Sequence, residues 1–129
     1  MKNIATIILF ALALSSNGQS TTKLSGRNEQ IDSLYKDGFK GYQRDFRNQI
    51  YYPSEIKPEG IVGRIYIEAV IDTVGQISDF KIMRGIDHRL DSIVSEKFKN
   101  TEGKWRILVN GQDEKTPYII QDYIHFELR

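Results

Sequence analysis

Between Ile61 and Arg84 apolar and polar residues alternate, pause at a short turn, and alternate again. That pattern constrains the fold more than any other in the chain. Ile65, Ile67, Ala69 and Ile71 share one face of a first strand over 61–71, and Arg64, Tyr66, Glu68 and Val70 share the other. Asp72-Thr73-Val74-Gly75 reverses the chain, with Gly75 free to take positive φ. The second strand covers 76–84. Phe80 and Ile82 face the side of the isoleucines, and Lys81 and Met83 point away. The hairpin therefore has a greasy face that something else must cover.

Two helical stripes are available for this. Phe39, Tyr42, Phe46 and Ile50 recur at three- and four-residue steps, which predicts a helix over 39–50. Gly41 weakens its start, and Tyr52-Pro53 ends it, because a residue before proline is pushed out of the helical region. Residues 54–60 then form a loop. Asp87 is placed to cap a second helix over 88–99, with Leu90, Ile93, Val94 and Phe98 as its stripe and Lys97 and Lys99 near its negative end. A short third strand is expected over 105–109 and a hairpin signal at Asn110-Gly111. The last strand covers 118–128, with Ile120, Ile124, Phe126 and Leu128 on one face. The fold class is α+β: a two-layer sandwich in which two helices cover one face of a small antiparallel sheet. The other face carries Arg64, Tyr66, Glu68, Lys81, His125 and Glu127 and can be wet. A sheet this small leaves an edge, and how that edge is used or blunted is the functional question.

A length of 129 residues suits one such domain. Residues 1–18 have the layout of a secretory signal: Lys2, an apolar run from Ile4 to Leu14, and small residues ahead of Gln19. The rival is an uncleaved membrane anchor, but eleven helical residues reach about 16 Å against about 30 Å of hydrocarbon. Residues 19–38 are polar and poor in large apolar side chains, so they are expected to be a tether. The domain proper is expected over 39–129. A cleaved signal would place it outside the cytoplasm, and the absence of cysteine suits an oxidising compartment.

The composition argues against several classes of function. A formal charge of +1 with no basic stripe offers nothing to nucleic acid. Without cysteine there is no thiolate nucleophile or thiolate metal site. His88 and His125 are the only imidazoles, and both are expected on exposed surface. Asp72, Asp79, Asp87 and Asp91 read as turn and cap residues, since they lack the alternating ligand spacing and closing Glu of a calcium loop. Trp105 reads as core. Tyr51-Tyr52-Pro53 reads equally as a helix stop or a contact. These readings predict a protein that is not an enzyme and needs no cofactor.

Taken in order, Tyr52-Pro53, the run from Gly60 to Ile67, the run from Ile71 to Asp79, and Arg84-Gly85-Ile86-Asp87 with Leu90-Asp91 resemble the C-terminal domain of TonB, most closely in its Bacteroidetes-type versions. The resemblance implies a periplasmic domain that takes up an extended segment of an outer-membrane transporter by strand addition beside its last strand. It implies a pairing strand at Tyr118–Leu128, with contacts at Tyr118, Ile119, Gln121, Tyr123 and His125. It also implies a receptor contact at Tyr52 and Pro53, with Gln49 beside them. A full energy transducer would have an inner-membrane motor complex as a further partner. A secreted peptide-binding adaptor that uses the same edge and pulls nothing is the alternative. Free edges also pair with each other, so a strand-exchanged homodimer is open to such a sheet. The prolines that flank the family's tryptophan are missing around Trp105.

Overall fold

The computed structural model describes residues 20–128. In chain order its elements are α1 (Ser20–Leu34), α2 (Gly38–Asp45), β1 (Gly63–Ile71), β2 (Ile77–Arg84), α3 (His88–Phe98), β3 (Leu108–Val109), β4 (Lys115–Thr116) and β5 (Tyr118–Phe126), with short 3-10 turns at Arg47–Gln49, Lys57–Glu59 and Lys99–Thr101. The main sheet is antiparallel with strand order β2-β1-β5. β1 buries Ile65, Ile67, Ala69 and Ile71, as its alternation predicts. The turn after it is held by Asp72, whose Oδ1 accepts from the Val74 and Gln76 N–H groups at 3.0 and 2.8 Å. Gly75 takes φ 82°, and a side chain there would press on the Trp105 carbonyl.

Three helices, where the pattern predicts two, cover the isoleucine face. Tyr42 and Phe46 at the end of α2 meet Leu90, Val94 and Phe98 of α3 in one buried cluster. Aromatic contacts fill it: Phe46 stands edge-on to Phe98 at 5.1 Å and Tyr35 edge-on to Trp105 at 4.9 Å, and Phe80 stacks on Phe98 at 4.8 Å. Trp105 is core, as expected, and its indole N–H donates to Thr101 Oγ1 at 3.0 Å. Asp87 caps α3 by accepting from the Arg89 N–H at 2.9 Å.

The segment expected as a tether is instead helical, and its end is built into the core. Ile31 and Tyr35 are fully buried, and Leu34 packs against the cluster. Backbone bonds from Arg106 N to Leu34 O (2.8 Å) and from Lys36 N to Lys104 O (2.7 Å) fasten it. Three apolar residues spaced as on one helix turn suffice for docking, although the segment as a whole is polar. The signal or anchor expected over 1–18 lies outside the described residues.

Several boundaries also move. α2 stops at Asp45, where Phe46 leaves helical geometry at φ −122°, ψ −69°. Gly41 is needed here, because a side chain would run into Asp37. The third strand shrinks to Leu108–Val109 and pairs with β4 in a separate ribbon, away from the main sheet. The hairpin joining these strands uses Asn110 as a cap and takes positive φ at Asp113, not Gly111. Leu128 lies beyond the end of β5 and is 50% exposed, so it is not part of the core face.

Tyr35→Ala should lower unfolding free energy by about 3–5 kcal/mol in a urea titration; a change below about 0.5 kcal/mol would return residues 27–37 to tether status. The Asp87 carboxyl is held down to about 2, chiefly by its hydrogen bonds to Arg89. Its contribution is therefore complete above the unfolded value of about 3.9 and is lost as pH falls toward about 2. In thermal melts, the gap between wild type and Asp87→Asn should close over that acid window.

Candidate functional site: the outer edge of the last strand

β1 is hydrogen-bonded on both sides, so β2 and β5 each leave a row of backbone groups without a strand partner. The two edges differ. The β1–β2 ladder breaks register twice, between Tyr66 and Ile67 and between Val70 and Ile71, and the Ile77 N–H is occupied by Glu102 Oε1 at 3.1 Å. Bulges and covered donors blunt an edge. The β1–β5 ladder runs nine pairs, from Gly63↔Phe126 to Ile71↔Tyr118, without a shift. β5 is thus the straighter template.

Its facing follows from one hydrogen bond. The Tyr123 N–H donates to Asp122 Oδ1 at 2.8 Å, so it points away from β1. Antiparallel strands alternate paired and unpaired residues, which turns the backbone of Ile119, Gln121, Tyr123 and His125 outward. Their side chains share the solvent face with Glu68, Tyr66 and Arg64 of β1. The Gln121 amide donates to Glu68 Oε1 at 2.9 Å, and Tyr123 packs on Tyr66 at 5.7 Å. His125 and His88 are both exposed.

The remaining sequence candidates lie elsewhere. Tyr118 has the opposite parity: its ring is buried and its hydroxyl donates to the Arg106 carbonyl at 2.6 Å, so its side chain belongs to the core and not to the edge. Tyr52 donates to the Ile61 carbonyl at 2.7 Å and stands edge-on to Phe126 at 5.9 Å, bracing the far end of β5. Pro53 is half-buried, and its carbonyl accepts from the Ile56 N–H at 3.2 Å. Gln49 is exposed and donates to the Arg44 carbonyl at 3.1 Å, within its own segment.

Sequence reasoning missed the most consequential group, Asp122. It is 3% exposed and sits on the core face of β5 between Ile120 and Ile124. Its Oδ1 accepts from Arg47 Nη2 at 2.6 Å as well as from the Tyr123 N–H, and its Oδ2 accepts from the Tyr42 hydroxyl at 2.8 Å and from Arg47 Nε at 3.1 Å. Burial, with this carboxylate beside it, pushes the Tyr42 phenol well above its usual value. Burial works against the Arg47 charge, but the Asp122 hydrogen bonds and charge more than offset it and raise its pKa. The clue was a lone acid in apolar register, which must find a buried partner. Arg27 of α1 closes over the rim, its guanidinium carbon 4.5 Å from the Tyr123 ring centre. Arg27, Asn28, Arg47, Tyr123, Ile124 and His125 line an open cleft of about 260 Å³ beside the strand. Among the described residues no group of His, Asp and Glu side chains is placed to hold a metal ion, and no helix is long and apolar enough to cross a membrane.

The same architecture occurs in the C-terminal domain of Helicobacter pylori TonB. Its NMR solution structure superposes with TM-score 0.54 at 17% identity, covering 67% of this chain and 77% of that one. A shorter segment of that domain matches at TM-score 0.48 and 18% identity, covering 68% and 90%. No protein-family model matches the chain, and no curated protein matches it by sequence. The fold is therefore that of a TonB C-terminal domain.

Asp122→Ala should cost about 3–5 kcal/mol in chemical denaturation, because it strands the Arg47 charge and the Tyr42 hydroxyl. A loss below about 1 kcal/mol would mean that the cluster does not hold β5 to the helices.

Proposed function

We propose that the outer edge of β5 receives an extended segment of an outer-membrane transporter by strand addition, and that the domain works in the periplasm in support of energy-coupled transport. The observation that carries this reading is the unshifted β5 ladder with its outward-facing backbone at Ile119, Gln121, Tyr123 and His125. Main-chain groups there supply affinity, and alternate side chains supply selectivity. The TonB-type fold supports the choice of partner, and the motifs from Tyr52 to Asp91 resemble Bacteroidetes-type versions of that domain. Tyr52 and Pro53 brace the strand's end and contribute a secondary contact, with Gln49 nearby. A second reading keeps the same edge in a freely diffusing adaptor, since a domain transmits force only when its N-terminal side is held in the inner membrane. The polar stretch ahead of Ile31 and the short apolar run favour it. A strand-exchanged homodimer would occupy the edge in place of a partner.

The test is an NMR titration with synthetic peptides spanning the periplasm-facing segments of the host's outer-membrane transporters. Backbone amides of residues 119, 121, 123 and 125 should shift, and Gln121→Pro should abolish binding while the domain stays folded. Shifts confined to β2, or unimpaired binding by the proline variant, would overturn the assignment. Mass spectrometry of natively made protein separates the two readings: Met1 retained in the inner-membrane fraction marks a transducer, and a start at Gln19 marks an adaptor.

A further inference from the structure

We propose that the amino-terminal half of α1 is a gate over the outer edge of β5. Arg27 lies in the lane that an added strand needs beside Tyr123, and this half of the helix must fray or swing aside before pairing is complete. This rests on strand addition at that edge and specifies how it is regulated.

The Tyr123 N–H points away from β1 and donates to Asp122 Oδ1 at 2.8 Å. That oxygen stands where the carbonyl of an incoming strand would stand. Arg27 Nε is 3.7 Å from the same oxygen, and the Arg27 guanidinium carbon is 4.5 Å from the Tyr123 ring centre. Arg27 therefore reaches around the rim from the core face to the solvent face. A neighbouring strand runs about 4.8 Å outside β5, so its backbone and the Arg27 side chain would claim the same space. The Tyr123 ring is held on the sheet side by the Tyr66 ring at 5.7 Å and the Arg64 guanidinium at 4.7 Å, which leaves Arg27 as the partner that moves.

Arg27 is poorly held. Asp122 already takes four donors, about the capacity of a carboxylate. The Arg27 Nε is buried and has no hydrogen-bond partner. The helix around it is weak as well. Gly26, just before it, is the poorest helix former after proline. The first turn of α1 has no acidic residue and the last turn no basic one, so the helix dipole is uncompensated. Asn28, Glu29 and Gln30 are exposed, and the buried anchors Ile31 and Tyr35 lie at the other end. The gate is thus hinged near Ile31 and latched by one side chain. The cleft beside Arg27 is lined by Tyr123, Ile124 and His125, so the gate covers the carboxyl-terminal part of the edge and leaves Ile119 and Gln121 outside it. An incoming strand would pair there first and displace Arg27 as it zips on.

The probe is an alternating Thr-Val nonapeptide titrated into the isotope-labelled full chain. R27Q keeps the helix and loses the latch, and should bind about two- to fivefold more tightly than wild type. R27G also loosens the helix and should gain about tenfold. Melting curves like that of wild type show that Ile31 and Tyr35 stay docked; should R27G melt earlier, R27Q alone decides. The protein has no cysteine, so N28C/H125C can be joined across the cleft by a reducible bis-maleimide. The linked chain should lose peptide-induced shifts at residues 123 and 125 and regain them when the linker is cleaved. Binding by the deciding variant that equals or falls below that of wild type, or full binding by the linked chain, overturns the gate and leaves strand addition standing. If the peptide binds neither wild type nor either variant, strand addition falls and the gate falls with it.

Discussion

The Asp122 carboxylate ties the two layers of this fold together. It belongs to β5, and its donors come from the helix layer: the Tyr42 hydroxyl from α2 and the Arg47 fork from the turn after it. An edge strand with only one neighbour has half the ladder bonds of a central one. Here the missing lateral support is replaced from beneath, by charge-assisted bonds to the helices. β5 is thereby held from beneath, while Arg27 of α1 closes over its rim at Tyr123.

That arrangement explains why the two sheet edges are not equivalent. β2 is irregular, and one of its outer donors is taken by Glu102. β5 is regular, with one outer donor, the Tyr123 N–H, satisfied by the side chain just before it. A bond to one's own neighbour is easily exchanged for one to an incoming carbonyl, because the strand need not move. The outer edge of β5 therefore presents a regular backbone whose Tyr123 donor is held only by its own neighbour.

The two long strands of the hairpin and the α3 helix were legible in the sequence because each is a strong, uninterrupted period. Ile65 to Ile71 alternate, and Leu90, Val94 and Phe98 step along one helical face. α1 was not legible, since Ile31, Leu34 and Tyr35 stand at the end of a long polar stretch and average to nothing. Their docking depends on Trp105, seventy residues on from Tyr35, which no local pattern can show. The strand expected over 105–109 failed for a related reason: Trp105 is spent on Tyr35, leaving Leu108–Val109 to pair alone. At the edge, the outward residues 119, 121, 123 and 125 could be listed from parity. Asp122 could have been flagged from the same parity, but its partners in the α2 region could not.

The docking of α1 also has a mechanical consequence. Tension on the chain ahead of Ile31 does not reach β5 through a loose cord. It enters at Leu34–Lys36, where two backbone bonds grip the segment Lys104–Arg106 and Tyr35 is wedged against Trp105. From there one path runs through the aromatic interior to Tyr42 and Asp122, while Arg27, earlier on α1, meets Asp122 and the Tyr123 ring directly. A pull from the N-terminal side would thus be shared between the packed interior and the rim of β5.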